Sequence, residues 1–392
     1  MKAASSIGFG PEWKRALGDA LGEVSSRLEG SAVDLAVVFA APQYAPHYAD
    51  VLGEIRARLD PRVVIGCSGQ GVIGTDREVE GMPAISVLAF SLPGALLSPH
   101  HVTQAVLAED SGRWASSLGV EQDDANAWLI IADPFTLDPD LLMSTLSMTY
   151  PNAPFVGGLA SGHPRLRGTH LFLDGQVHIE GAIALALGGP YTVQPVVSQG
   201  AEPIGQTWTI TGAHENVVES LGMRPALEIL AETFRDLPEE TQQRARSNLL
   251  VGLAMNEYQD EFQRGDFLIR NLMGINQEAG ELVIGAAPRI GQTLQFQLRD
   301  PDAADQELSF LLDRTRDELE GRPAVGGLLF ACNGRGIGLF GNADHDAKAV
   351  TNHLGAIPLA GFFCNGEIGP VAGKPFVHGF TASLALIVPK EP

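Results

Sequence analysis

The sequence predicts an α/β protein of two domains, each of mixed β-sheets flanked by helices, and three observations carry that expectation. Apolar runs of strand length alternate with helix-length amphipathic stretches. A strand–helix–strand–glycine loop–strand unit recurs along the chain, and hairpin-like segments lie between the recurrences. With 392 residues, 45% of them hydrophobic and 19% charged, the chain is long enough for two cores and too apolar for disorder.

Pro11 suits the first turn of a helix, and Trp13, Leu17, Leu21, Val24 and Leu28 recur at helical spacing before Gly30. Residues 35–39 are apolar throughout and read as a buried strand. A helix over 46–59 places Val51, Leu52, Ile55 and Leu59 on one face, and after Pro61 residues 63–65 form the next strand. The order returns as strand 129–132, helix 138–148 and strand 154–158, then as strand 327–331, helix 344–354 and the segment Pro358-Leu359-Ala360-Gly361. Gly66, Gly158 and Gly361 mark equivalent positions, each about thirty residues past its first strand. A further apolar strand closes each copy, at 84–90, 182–187 and 382–388. Asp174-Gly175 and Glu278-Ala279-Gly280 read as hairpin turns, the first because primed turns need two positive φ values. A helix over 225–234 gives way to the polar stretch 237–243, which sets the domain boundary near residue 222 and the domains at 1–222 and 223–392.

Lys and Arg number 26 against 47 Asp and Glu, a net charge of −21. Such a surface repels phosphate backbones and anionic lipids, so neither nucleic acid nor membrane is an expected partner. No apolar stretch reaches the ~18 residues of a membrane span, and the N-terminus lacks a signal-peptide pattern. Three widely spaced cysteines, Cys67, Cys332 and Cys364, form no disulfide framework. These features predict a cytoplasmic protein.

Several motifs fail on chemistry. Gly69-Gln70-Gly71-Val72-Ile73-Gly74 matches a dinucleotide fingerprint, yet the segment behind it is too broken for the helix that would face a pyrophosphate. Gly66-Cys67-Ser68-Gly69 falls one residue short of a nucleophile elbow, leaving Ser68 as a turn residue. No histidine or cysteine spacing fits a metal, and neither metal nor cofactor is expected. The informative segments are two C-terminal loops, Cys332-Asn333-Gly334-Arg335-Gly336 and Cys364-Asn365-Gly366-Glu367. If their strands are neighbours, both loops open at the sheet edge where α/β folds hold ligands. Arg335 then offers a fork for a carboxylate, and Glu367 an acceptor for an ammonium group. Gly66–Gly71 of the first copy, including Cys67, Ser68, Gly69 and Gln70, is the matching loop there. Gly158 and Ser161 lie in that of the second, where Asp133 ends the first strand as Cys332 does in the third.

Val64-Ile65-Gly66-Cys67-Ser68 and Gly157-Gly158-Leu159-Ala160-Ser161 resemble the N-terminal half of the FIST family. The segment from Leu329 to Gly336, Gly361-Phe362-Phe363 and Gly366-Glu367-Ile368-Gly369-Pro370 resemble its C-terminal half. The resemblance implies a sensory module that binds small ligands, amino acids among the candidates proposed, and often stands before receptors, kinases or cyclic-nucleotide enzymes. It brings no catalytic residue set. With no segment long enough for such an output, a free-standing sensory protein is expected. It would enclose a small polar metabolite between its halves and signal through a separate protein. Arg335, Glu367, Asn333, Asn365, Cys332, Gly334, Gly336 and Gly366 would line the site with Cys67, Ser68, Gly69, Gln70, Gly158, Ser161 and Asp133. The alternative expectation is a hydrolase or transferase with Cys332 as nucleophile.

Overall fold

A computed structural model describes the chain apart from residues 110–117, 164–166, 258–261, 263–264, 320 and 392. The residues gather into two compact units, one of Met1–Val197 with Leu311–Pro392, the other of Ser198–Phe310. The first copy of the repeat comprises β1 (Lys2–Phe9), α1 (Trp13–Leu28), β2 (Leu35–Ala40), α2 (Tyr48–Leu59), β3 (Val63–Ser68), β4 (Gly71–Gly74), β5 (Arg77–Glu80) and β6 (Ala84–Ser91). The second comprises β7 (Leu96–Val102), α3 (Gln104–Glu109), β8 (Ala127–Ala132), α4 (Pro139–Thr149), β9 (Phe155–Leu159), β10 (Leu171–Leu173), β11 (Gln176–His178) and β12 (Ala182–Gly188). The third opens with β13 (Tyr191–Ser198).

The chain then builds the second unit from β14 (Glu202–His214), β15 (Val217–Leu221), β16 (Arg224–Pro225), α5 (Ala226–Asp236), α6 (Glu239–Asn248), β17 (Leu249–Ala254), β18 (Phe267–Asn276), β19 (Glu281–Ile284) and β20 (Thr293–Leu298). Through α7 (Pro301–Leu319) it reaches the rest of copy three: β21 (Gly326–Cys332), α8 (Ile337–Phe340), α9 (His345–Leu354), β22 (Leu359–Cys364), β23 (Glu367–Val371), β24 (Lys374–His378) and β25 (Ala382–Pro389). The second unit is thus an insertion within copy three, and residue 222 falls inside it. The polar stretch at 237–243 is no linker; it opens α6.

The first unit holds three six-stranded sheets of one design: β1-β6-β2-β3-β10-β11, β7-β12-β8-β9-β23-β24 and β13-β25-β21-β22-β4-β5. In each, two parallel strands lie at the centre and the copy's last strand runs antiparallel beside the first of them. The final two strands are a hairpin borrowed from another copy. Copy one's sheet carries copy two's hairpin, copy two's carries copy three's, and copy three's carries copy one's. The exchange closes on itself, so no copy completes its sheet alone. It also interleaves the two halves of the sequence, which therefore cannot close on a ligand as separate bodies. Gly69–Gly74, the would-be fingerprint, is largely β4 of such a hairpin.

Both faces of the central strands are covered, which explains their unbroken apolar runs. Leu35, Val37 and Phe39 of β2 face a core shared by all three sheets, with Leu129 and Ile131 of β8 and Leu328 and Phe330 of β21. Ala36, Val38 and Ala40 face α1 and α2 instead. The equivalent glycines are Gly66, Gly157 and Gly361, not Gly158. A Cβ at these three would lie 1.8, 1.8 and 1.9 Å from the carbonyl oxygens of Val38, Ile130 and Leu329 on the neighbouring strand. Gly158 is one position on and faces the core, against the Cys364 sulfur and the Phe330 and Phe362 rings.

In the second unit β14, β20, β17, β18, β19 and β15 pair in turn, and β15 pairs back with β14. Every pairing in this circuit is antiparallel. The barrel closes without a free edge among these six strands, and Ile229 and Leu230 of α5 join its core.

Candidate functional site

In the first unit the ends of β3, β9 and β22 meet. Each is the second parallel strand of its sheet, so the repeat delivers three like loops to one place. The loops are laced together. Ser68 Oγ donates to Ser161 O at 2.7 Å and accepts from the His170 N–H at 3.0 Å. Ser161 Oγ accepts from the Gln70 N–H at 2.7 Å and donates to Phe363 O. Asn365 donates twice into the second copy, from N to Leu159 O at 3.0 Å and from Nδ2 to Ala160 O at 2.9 Å. Asn333 Nδ2 donates to Asn365 Oδ1 at 3.0 Å. Beneath lie the rings of Phe39, Phe330 and Phe362 in edge and tilted contact.

Gln70 and Asn365 are exposed, Asn333 and Cys332 half-buried, and Ser68 and Ser161 buried. Cys67, Gly69, Gly158 and Gly366 are buried at the same junction, while Gly334 is exposed. A Cβ at Gly69 would meet Phe362 at 2.8 Å, and one at Gly366 would meet Leu159 at 2.9 Å. These glycines are needed for close approach of the loops. Burial pushes the Cys67 and Cys364 thiols up, with Glu367, Cys67 and Cys332 adding to the effect at Cys364.

The charged residues of the expected site are engaged elsewhere. Arg335 is 1% exposed, and its Nε and Nη2 donate to Asp346 at 2.7 and 2.9 Å. Its Nη1 donates to Phe380 O at 3.4 Å. Glu367 is wholly buried and accepts from the Thr381 N–H at 3.0 Å. The guanidinium and the carboxylate therefore hold the chain's own Phe380–Thr381 segment, one by its carbonyl and the other by its amide. Gly336, at φ +64°, lies against the Glu80 carboxylate, which accepts from the Ile337 N–H at 2.9 Å. Asp133 Oδ1 accepts from the N–H groups of Phe135 and Thr136 at 2.7 and 2.8 Å, and Oδ2 from Thr169. It is a turn-forming residue. Carboxylate and ammonium anchors thus give way to neutral amides as the groups still facing solvent.

Around Arg335 sits a charge cluster that motif reading missed. Glu78, on the hairpin that copy one lends to copy three, accepts from the Ala347 N–H at 3.0 Å, and its own N–H donates to Asp344 at 2.8 Å. Its Oε2 is buried without a hydrogen-bond partner among the described residues. Burial and the adjacent Asp346 charge push the Glu78 carboxyl up to about 8. Burial opposes ionisation of Asp346 as well, but the Arg335 guanidinium prevails and holds it below the usual carboxylate range. No local signal marks it, since Arg77-Glu78-Val79-Glu80 reads as a short charged segment and only the assembled sheet buries Glu78. The folded protein binds the Glu78 proton more tightly than the unfolded chain does, so stability falls as pH rises from the ordinary 4.5 towards about 8. Urea unfolding across that range is expected to show this decline in the wild type and to lose it in Glu78→Gln.

A polar cavity of about 460 Å³ lies between copies one and three, lined among others by Ser5, Arg27, Thr75, Arg77 and Lys348. Arg27 pairs there with Glu23, and Lys348 with Asp344. Among the described residues no group of three His, Cys, Asp or Glu could hold a metal ion, and no helix is long and apolar enough to cross a membrane.

The first unit is thus an interlaced α/β repeat whose strand ends meet at a polar junction. The chain belongs to the FIST family: the FIST N domain model matches residues 34–224 and the FIST C domain model residues 226–370. FIST domains are in general sensory, ligand-binding modules. The uncharacterized protein Rv0628c of Mycobacterium tuberculosis is 37% identical over 388 residues, covering 99% of this chain and 100% of that one. The uncharacterized protein Mb0898c of Mycobacterium bovis is 37% identical over 379 residues, or 96% of each. Among solved structures, a cyanuric acid hydrolase aligns with 100% of both chains at 10% identity and a TM-score of 0.31, a likeness too slight to bear on function.

Proposed function

We propose that this protein is a sensory binding protein for a small polar metabolite, held where the loops after β3, β9 and β22 meet, and that a signalling partner reads its bound state. The supporting observation is the junction itself. Three loops are fixed by mutual hydrogen bonds and present the amides of Gln70 and Asn365 to solvent, with Asn333 half-buried beside them. Locked loops favour binding because little remains to be ordered when the ligand arrives. Neutral amides both donate and accept, which suits a guest rich in hydrogen-bonding groups. An amino acid would be held here through such bonds, with Arg335 and Glu367 supporting the site from behind. The buried thiols and acidic surface suit a reducing, cytoplasmic setting.

A thermal-shift screen of polar metabolites, amino acids included, tests this reading. A ligand at a hundredfold its Kd stabilises by about 2.7 kcal/mol. The best hit is expected to raise the wild-type melting temperature and to lose that effect in Gln70→Ala and Asn365→Ala. Gln70 is exposed, so its truncation is expected to change the unliganded protein by no more than about 0.5 kcal/mol. Hits that stabilise both variants as well as the wild type would place the site elsewhere.

A further inference from the structure

We propose that Cys332 and Cys364 are a reversible redox pair, forming a disulfide across the ends of β21 and β22. The chain's three cysteines, far apart in sequence, converge at the junction: Cys67 and Cys364 belong to the shared core, and Cys67 and Cys332 both help to push the Cys364 thiol up. Cys332 and Cys364 are direct register partners on neighbouring parallel strands. Adjacent strands run about 4.7–4.9 Å apart, inside the roughly 4.4–6.8 Å Cα separation that disulfides span. Register partners on parallel strands point to the same face. Phe330 and Phe362, two residues before each cysteine, are likewise partners, and both enter the shared core.

The two thiols differ in access. Cys332 is half-buried at the rim, whereas Cys364 is wholly buried below it. Cys332 Sγ accepts from the Gly334 N–H at 3.4 Å, and Cys364 Sγ donates to Phe362 O at 3.5 Å, both weak bonds of sulfur. A hydroperoxide is the oxidant that suits this arrangement. The Cys332 thiol gives up its proton and the thiolate attacks one peroxide oxygen, breaking the O–O bond and giving a sulfenic acid, while the expelled hydroxide or alkoxide takes up a proton in place of the thiol's and leaves as water or an alcohol. The Cys364 sulfur then attacks the Cys332 sulfur, its proton leaves with the displaced hydroxide as a second water, and the S–S bond forms. Two thiols lose two electrons and the hydroperoxide gains them; a dithiol reverses the step by exchange. Asn333 and Asn365 follow the two cysteines directly, and closure would fix their spacing.

The experiment is a peptide map of the native full chain treated with hydrogen peroxide, quenched with an alkylating agent and digested without reductant. The expected result is a cross-linked peptide containing Cys332 and Cys364, a joint loss of their alkylation of at least about tenfold, and full recovery after a dithiol. Cys67 is expected to stay reduced and to react only on unfolding. In Cys364→Ser a sulfenic acid at Cys332 should be trapped by dimedone. A Cys332 that goes to sulfinic acid in the wild type with Cys364 still reduced would overturn the proposal, as would a cross-link through Cys67 or no oxidation of Cys332. The map on the wild-type chain decides the matter even if Cys364→Ser does not fold.

Discussion

Gly157→Ala is expected to yield no stably folded first unit. The added Cβ would lie 1.8 Å from Ile130 O and 3.0 Å from Ile130 N, both backbone atoms of the adjacent parallel strand. No flexible side chain can yield, so β8 and β9 must separate at the middle of their ladder. Overpacking that side chains can absorb costs about 1–3 kcal/mol, and a displaced backbone costs more. The same outcome is expected at Gly66 and Gly361, which meet Val38 O and Leu329 O in the same way. Gly53→Ala serves as the control: it lies exposed in α2 with nothing within 4 Å, and alanine there is expected to stabilise by about 1 kcal/mol. Soluble yield and urea unfolding of the four variants check both signs. If the three core variants unfold like the wild type, the repeat alignment drawn from these glycines is wrong.

Asp346→Ala carries the second large effect. Arg335 and Asp346 form a buried, two-pronged ion pair, with side chains 0% and 1% exposed. Removing one partner strands a charge away from water, at a cost of about 3–5 kcal/mol. Part of that loss has a remedy on the borrowed hairpin. Without the Asp346 charge, Glu78 ionises more readily and the Arg335 charge favours that ionisation. Burial still raises the Glu78 carboxyl, but less than with the Asp346 charge beside it, so Asp346→Ala should lose less stability than the wild type as pH rises towards neutrality. Adding Glu78→Gln should remove the decline that remains. Unfolding midpoints of the two variants across pH test this; a single variant that declines with pH as steeply as the wild type would show that Asp346 and Glu78 are not coupled.

Much of the fold is legible because the central strands are buried on both faces. Residues 35–39, 129–132 and 327–331 need no alternation to be recognised as strands, and Asp174-Gly175 adopts the two positive φ values its turn requires. The outer strands are less legible. β7 contains Pro99, His100 and His101 and has no apolar alternation, so nothing local marks it as a strand. The hairpin exchange is invisible for a different reason. Pairing partners such as Ile73 with Gly361 are chosen by the assembled repeats, and neither segment encodes the other. The same limit explains Arg335: its carboxylate partner is Asp346, which by sequence is an ordinary first-turn acid of α9, while Glu367 in the conspicuous Gly-Glu-Ile-Gly motif drew attention. Ser68, Gln70, Ser161, Asn333 and Asn365 were recognisable as loop residues, yet their contacts rest largely on backbone carbonyls that no motif records.

Hydrogen–deuterium exchange with the best hit from the metabolite screen would locate the proposed ligand where the ends of β3, β9 and β22 meet. Slowed exchange is predicted together at residues 68–71, 159–162, 332–335 and 363–366, in peptides from all three copies of the repeat. Protection confined to the barrel of the second unit, or to the cavity beside Arg27 and Arg77, with these four segments unchanged, would contradict that placement.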